Sequence, residues 1–244
     1  MMDNLLYFIL LALLAEVLGT VGGFGSSLFF VPIAGFFLDF HSVLGVTAVF
    51  HLASNITKIA MFKKGFDKAM IIKMGIPAVL FVIAGAFLTK YIDSKLLEIS
   101  LAIFLIALSS FLIIFRNFKI EPTSFNAISG GITSGFVAGL LGTGGAIRGL
   151  VLAAFNMRME VFIVTSAIID LAIDASRGVV YFVNGYVHKD DLYLIPILLV
   201  VSIIGTFIGK KILEKISETQ FKFIVLGLIL VTGVVTLVKF LFFS

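Results

Sequence analysis

Two groups of residues in this 244-residue chain have the types and spacing for chemistry. The first is a pair of glycine-rich breaks. Gly19-Thr20-Val21-Gly22-Gly23-Phe24-Gly25 interrupts one apolar run, and Gly139-Leu140-Leu141-Gly142-Thr143-Gly144-Gly145 interrupts another. Clustered glycines break a helix and permit tight turns. A short apolar segment follows each break, opening near Ser26 and near Ala146. A helix that starts there presents unpaired N–H groups and a partial positive charge, which suits an anion. Gly22, Gly23, Gly25, Gly142, Gly144 and Gly145 would let a ligand approach the backbone. Ser26 and Ser27 would add hydroxyl donors, with Thr143 inside the second break. Arg148, in the first turn after that break, would add a full charge. Close helix packing is the other use of glycine in membranes. It accounts less well for two clusters that each open a short helix.

The second group is a polar stripe. His51, Asn55 and Lys58 lie at i, i+4 and i+7, and Asp170, Asp174 and Arg177 repeat that spacing. Each triplet therefore shares one helix face. Ionisable groups inside a membrane are costly and mark function by default. Asp170, Asp174, Glu16 and His51 are candidates to carry a coupling proton; Arg148 and Arg177 are candidates to meet an anion. The alternative is that Asp174–Arg177 or Asp170–Arg148 ion pairs simply hold helices together. Lys58 is expected to snorkel to the cytoplasmic edge. Glu16 has no counterpart in the other half and is expected to face a water-filled cavity.

The elements that must position these residues follow from composition. The chain is 60% hydrophobic and 13% charged, with a mean hydropathy of +1.19, against about 45–50% apolar and about 25% charged in average proteins. That excludes an ordinary soluble domain, a disordered chain and a disulfide scaffold. The 27 phenylalanines suit a lipid-facing surface. A net charge of +4 does not point to nucleic acid, because Lys and Arg sit between apolar runs. With no cysteine, thiolate metal sites, iron–sulfur clusters and cysteine catalysis are excluded. His41, His51 and His188 are too scattered for a metal site, and no P-loop, H-E-x-x-H or G-x-S-x-G motif is present. Neither a cofactor nor an enzymatic activity is expected. The N-terminus lacks a basic region and a cleavage site, so the first apolar run reads as a retained membrane segment.

Ten apolar segments can be traced: 4–20, 26–38, 42–62, 69–89 and 95–115, then 124–141, 145–157, 160–184, 190–210 and 219–243. A helix needs about 20 residues to span the hydrocarbon core. The segments at 26–38 and 145–157 are too short and are expected to be re-entrant or broken helices. A shift of 120 residues pairs Gly19 with Gly139, Gly22 with Gly142, Gly25 with Gly145, Gly65 with Gly185 and Gly85 with Gly205. The chain thus reads as an all-α membrane domain of two repeats, 1–115 and 124–244, joined by a polar linker at 116–123. Lys63, Lys64 and Lys68 place the 63–68 connection in the cytoplasm by the positive-inside rule. The equivalent His188-Lys189-Asp190-Asp191 is acidic and expected outside. The repeats are then inverted, with both termini extracytoplasmic in a cell membrane. Inverted repeats with a midplane site are an architecture of secondary transporters.

The repeat and the turn Gly22-Gly23-Phe24-Gly25-Ser26-Ser27-Leu28-Phe29-Phe30-Val31-Pro32, with its second copy Gly142-Thr143-Gly144-Gly145-Ala146-Ile147-Arg148, resemble the sulfite exporter TauE/SafE family over essentially the whole chain. The first turn has fewer glycines than many members, and Pro32 has Leu152 as its repeat partner. The resemblance implies export of sulfite, an organosulfonate or a related small anion by secondary transport. The partners expected are that anion, the lipid bilayer and protons as coupling ion. A passive anion channel and a non-transporting membrane scaffold are the alternatives. The sequence leaves the oligomeric state open.

Overall fold

The structure, a computed structural model, describes residues 2–23, 25–63, 65–115 and 119–215, together with 230, 233, 234, 237 and 238. All regular structure among them is helical. The long helices are α1 (Met2–Gly22), α3 (Phe40–Phe62), α6 (Ser94–Ile114), α7 (Ser124–Leu141), α9 (Met159–Val183) and α10 (Leu194–Leu213). The short ones are α2 (Ser27–Ala34) and α8 (Gly145–Ala153). One further span is composite. α4 (Lys68–Met70) passes through a π-helical turn (Ile71–Gly75) into α5 (Ile76–Leu88). Pro77 sits at the start of α5. It has no N–H and crowds the carbonyl four residues before it, so the helix widens there to a π turn.

Among the described residues, six helical stretches are long and apolar enough to cross a membrane: Leu5–Gly22, Phe40–Phe62, Lys68–Tyr91, Ser94–Ile114, Ser124–Leu141 and Leu194–Leu213. α9, at 25 residues, has the length but carries the charged stripe. The segment expected at 219–243 lies largely outside the described residues. The five described positions within it are helical, and Gly233 sits against Leu105 and Ile106 of α6.

Helix ends follow their local chemistry. Asp39 caps α3 by accepting from the amides of His41 and Ser42, both at 3.1 Å. Asp93 and Thr123 cap α6 and α7 in the same way. Each cap satisfies a donor that the helix leaves free, worth about 1 kcal/mol. α7 ends at Gly142, whose φ of +77° only glycine adopts without strain.

The two halves exchange helices. α1 lies parallel to α10, with Glu16 against Gly205 and Thr20 against Gly209. α7 lies parallel to α5, with Gly131, Gly135 and Gly139 against Met74, Ala78 and Val82. The second contact is so close that a Cβ on Gly135 would lie 2.2 Å from the Ala78 carbonyl oxygen. Small residues at such an interface let two backbones touch, the usual source of helix association in lipid. α3 and α9 pack antiparallel between these pairs: Asn55 meets Asp174, and Phe62 clusters with Ile163.

Candidate functional site

α9 is the ruler along which the two breaks can be placed. Gly23 abuts the Phe162 ring, and its carbonyl accepts from Ser166 Oγ at 3.4 Å. The Gly142 carbonyl accepts from Arg177 at 2.6 Å. Ser166 and Arg177 are about 16 Å apart along the helix. Each break thus lies inside the span of α9, displaced toward a different end. α2 and α8 start between them and meet, with Ser27 Oγ donating to Thr143 Oγ1 at 3.3 Å. Ser26, Ser27, Thr143 and Arg148 are all buried.

Three buried clusters surround this meeting point. The first is built on Glu16, which is fully buried. Its carboxylate accepts from Ser26 Oγ at 2.5 Å, Ser54 Oγ at 2.6 Å, Thr206 Oγ1 at 3.0 Å and Thr20 Oγ1 at 3.1 Å. Lys58 Nζ pairs with it at 3.1 Å. Ser26 Oγ also lies 3.0 Å from His51 Nε2. The expected water-filled cavity around Glu16 is therefore replaced by protein donors. The expectation for Lys58 is likewise overturned. It does not snorkel: it is 5% exposed, bonded to Ser54 at 2.6 Å and held by the Glu16 charge.

The second cluster is Asp174. Arg177 pairs with it at 2.6 Å, Asn55 Nδ2 donates at 2.8 Å, and His51 Nδ1 lies 3.8 Å away. Arg177 also donates to the carbonyls of Ala138 (3.0 Å) and Gly142. It thereby satisfies the Gly142 carbonyl, adds a second donor to the Ala138 carbonyl that already accepts from the Gly142 amide, and complements that end of the helix dipole. Tyr181 does the same for Gly139 at 2.6 Å.

The third cluster joins α8 to α9. Arg148 forms an ion pair with Asp170, and its Nε donates to Ser166 Oγ at 3.1 Å. Asp170 Oδ2 lies 3.5 Å from where a Gly25 Cβ would be, so this carboxylate faces the first break. The six charged side chains named here, Glu16, Asp170 and Asp174 against Lys58, Arg148 and Arg177, balance. A cavity of about 10 Å³, room for about one water, is lined by Thr20, Gly23, Gly25, Asn55, Lys58, Ser166 and Asp170 among others.

The two ends of the stripe are finished differently. Past α9, Tyr186 is buried, stacks on His41 at 4.2 Å and bonds Thr89 Oγ1 at 3.1 Å. Its counterpart at a shift of 120, Phe66, is exposed. The small cavity lies toward the Phe66 end, between Lys58 and Ile163.

Of the candidates from the sequence, Glu16, Ser26, His51, Asn55, Arg148, Asp170, Asp174 and Arg177 fall in these clusters, Gly23, Gly25, Ser27, Gly142 and Thr143 lie beside them, and Gly144 packs on Ser134 of α7. Ser54, Ser166, Tyr181 and Thr206 were not singled out. Ser54 precedes Lys58 by one helical turn, a spacing that was readable. Thr206 joins Glu16 from 190 residues away, with no local signal. Among the described residues, no three His, Asp or Glu side chains converge as metal ligands.

The family model described as "Sulfite exporter TauE/SafE" matches residues 8–236. A "Probable membrane transporter protein" of Methanocaldococcus jannaschii is 27% identical over 254 residues, covering 92% of each chain. No solved structure matches. With a match over nearly its whole length and, among the described residues, six helices able to cross a bilayer, the chain belongs to the sulfite exporter TauE/SafE family of multi-pass membrane transporters.

Proposed function

We propose that this protein exports a small sulfur oxyanion, sulfite or a small sulfonate, by alternating access around the meeting point of α2 and α8. The observation that carries the reading is the Ser27–Thr143 contact beside the buried Arg148. Two half-helix N-termini and a guanidinium converge inside the span, which is donor chemistry for an oxyanion. Gly25 is the break glycine that faces the Asp170 carboxylate, whereas Gly23, Gly142 and Gly144 lie against Phe162, Leu44 and Ser134. His51, Asp170 and Asp174 are the candidate proton carriers. Glu16, Asn55 and Arg177 hold the breaks in place.

The halves 1–115 and 124–244 act as inverted repeats. Asn55 bonds Asp174, its partner when the triplets His51-Asn55-Lys58 and Asp170-Asp174-Arg177 are superposed at a shift of 119, one residue off the 120 of the glycines, and a contact between repeat partners belongs on a two-fold axis. The exchanged pairs support this too, because Gly205 against Glu16 and Gly85 against Phe136 are related by the same shift of 120. Both termini are extracytoplasmic. In this cysteine-free chain, single cysteines at positions 66 and 187 should react with an impermeant thiol reagent from opposite sides.

The deciding experiment is transport in proteoliposomes with sulfite, sulfate, thiosulfate and methanesulfonate. A pH gradient should drive uphill movement of at least one of them. A hydrogen bond to a charged group is worth about 1.5–3 kcal/mol, so Arg148→Gln should weaken binding about 10- to 150-fold. Movement only down the anion's own gradient would make the protein a channel. Binding unchanged in both Arg148→Gln and Gly145→Val would move the site elsewhere.

A further inference from the structure

The charges around the meeting point carry a further consequence, which rests on the anion reading above. The six buried charges balance with the pairs Glu16–Lys58, Asp174–Arg177 and Asp170–Arg148. An anion added to this set would leave one unbalanced negative charge in a low-dielectric interior, where such a charge is strongly unfavourable. The cavity beside Asp170 admits about one water. It cannot take a sulfur oxyanion of four or more heavy atoms while every side chain stays where it is.

The three pairs differ in how firmly they are held. Glu16 has four hydroxyl donors besides Lys58. Asp174 has Asn55 besides Arg177, and Arg177 is also tied to the end of α7. Among the described residues, Asp170 has Arg148 alone as a hydrogen-bond donor. It also borders the cavity, and it faces the first break at Gly25. A carboxylate resting on a buried guanidinium, over a glycine break and beside the start of α2, occupies the place that an oxyanion would take.

We propose that Asp170 is a tethered occupant of the anion site. The substrate takes its place on Arg148 and Ser166. The carboxylate turns into the adjoining cavity, toward Asn55 and Lys58, and takes up one proton from water. One monovalent anion and one proton enter together, so the buried charge stays balanced. No covalent bond to carbon or sulfur is made or broken. The groups around Asp170 that share its field are Arg148 on α8, Lys58 and His51 on α3, Glu16 on α1 behind Lys58, and Asp174 and Arg177 on α9 itself.

The test measures equilibrium binding of methanesulfonate, whose own charge is fixed across the neutral range, to purified full-length protein as pH is varied. In the unaltered protein, affinity should fall toward a limit of about tenfold per pH unit as pH rises, because binding takes up a proton. Asp170→Asn should bind more tightly than the parent at mildly alkaline pH and lose that slope. It should also retain exchange of external for internal anion while losing pH-driven accumulation. If the parent's affinity has no pH slope, or if folded Asp170→Asn binds no tighter than the parent and keeps its slope, the inference is overturned. Asp170→Ser serves as the second variant if the Asn protein does not fold. The two readings fail differently. Loss of the anion site itself would appear as parent-like binding by Arg148→Gln. Weakened Arg148→Gln with an unimproved Asp170→Asn overturns only the tethered occupant.

Discussion

Removing the Glu16 charge tests the energetics of the first break directly. In Glu16→Gln the side chain keeps its shape and one carbonyl oxygen, but Lys58 loses its counter-charge. Lys58 is 5% exposed and has Ser54 Oγ as its remaining partner. Breaking a buried pair from one side typically costs 3–5 kcal/mol, about a hundred- to several-thousand-fold in the folding equilibrium. The four hydroxyls contribute less to the difference. They can rotate and donate elsewhere, and interhelical hydrogen bonds in membranes average about 0.6 kcal/mol. The larger part should therefore be recovered in Glu16→Gln/Lys58→Met, which removes both charges. Unfolding in mixed detergent micelles, followed by helical circular dichroism, measures all three variants against the parent. Additive losses in the double variant, with no recovery, would refute the claim that these two charges stabilise each other.

Other perturbations give equally definite outcomes. Gly135→Ala should destabilise by about 1–3 kcal/mol through overpacking, since its Cβ would overlap the Ala78 carbonyl; Thr133→Ala on the exposed side of α7 should stay within about 0.5 kcal/mol. Gly45→Val should unseat Tyr186, because a Cβ there would lie 2.6 Å from the Tyr186 carbonyl oxygen, and a cysteine at position 187 should then react faster with a thiol reagent. At the α3 cap, burial pushes the Asp39 carboxyl up, but hydrogen bonds from Ser42 and His41 and the nearby His188 outweigh it and hold it below its ordinary value. A lowered folded-state value means the stabilisation is present above the unfolded value of about 3.9 and is lost as pH falls through the folded one. Asp39→Asn should keep the cap and lose that acid-side change, while Asp39→Ala should cost about 0.5–2 kcal/mol at neutral pH; both are read from detergent unfolding curves.

What the sequence revealed was whatever its local rules control. The segments at 124–141 and 160–184 became α7 (Ser124–Leu141) and α9 (Met159–Val183), because apolar length and helix caps are near-neighbour properties. The glycine breaks fixed where α2 and α8 begin for the same reason. α2 stops at Ala34 and α8 at Ala153, short of the expected 38 and 157; Gly35, the C-cap of α2, was a readable stop, whereas no glycine or proline follows Ala153 to mark the end of α8. Asp174 and Arg177 were visible as a pair because they share a helix turn. Lys58 was misread because hydropathy places a lysine near a helix end at the membrane edge. Only the fold reveals that Glu16 waits beside it. The roles of Thr206 and Tyr181 depend on contacts between distant helices, which a one-dimensional pattern does not contain.

The Glu16 network also has a history written into the order of synthesis. α1 is made first, carrying a carboxylate into an apolar environment. Thr20, one turn later on the same helix, is present at once, and Ser26 arrives as soon as the chain folds back at the first break. Ser54 and Lys58 come with α3, and Thr206 only with α10. At about 5–20 residues per second, the last donor emerges roughly 10–40 s after Glu16. The hairpin of α1 and α2 therefore does more than shape the proposed anion site. It gives a newborn acidic helix its first partners from within its own segment, before the rest of the protein exists to shelter it.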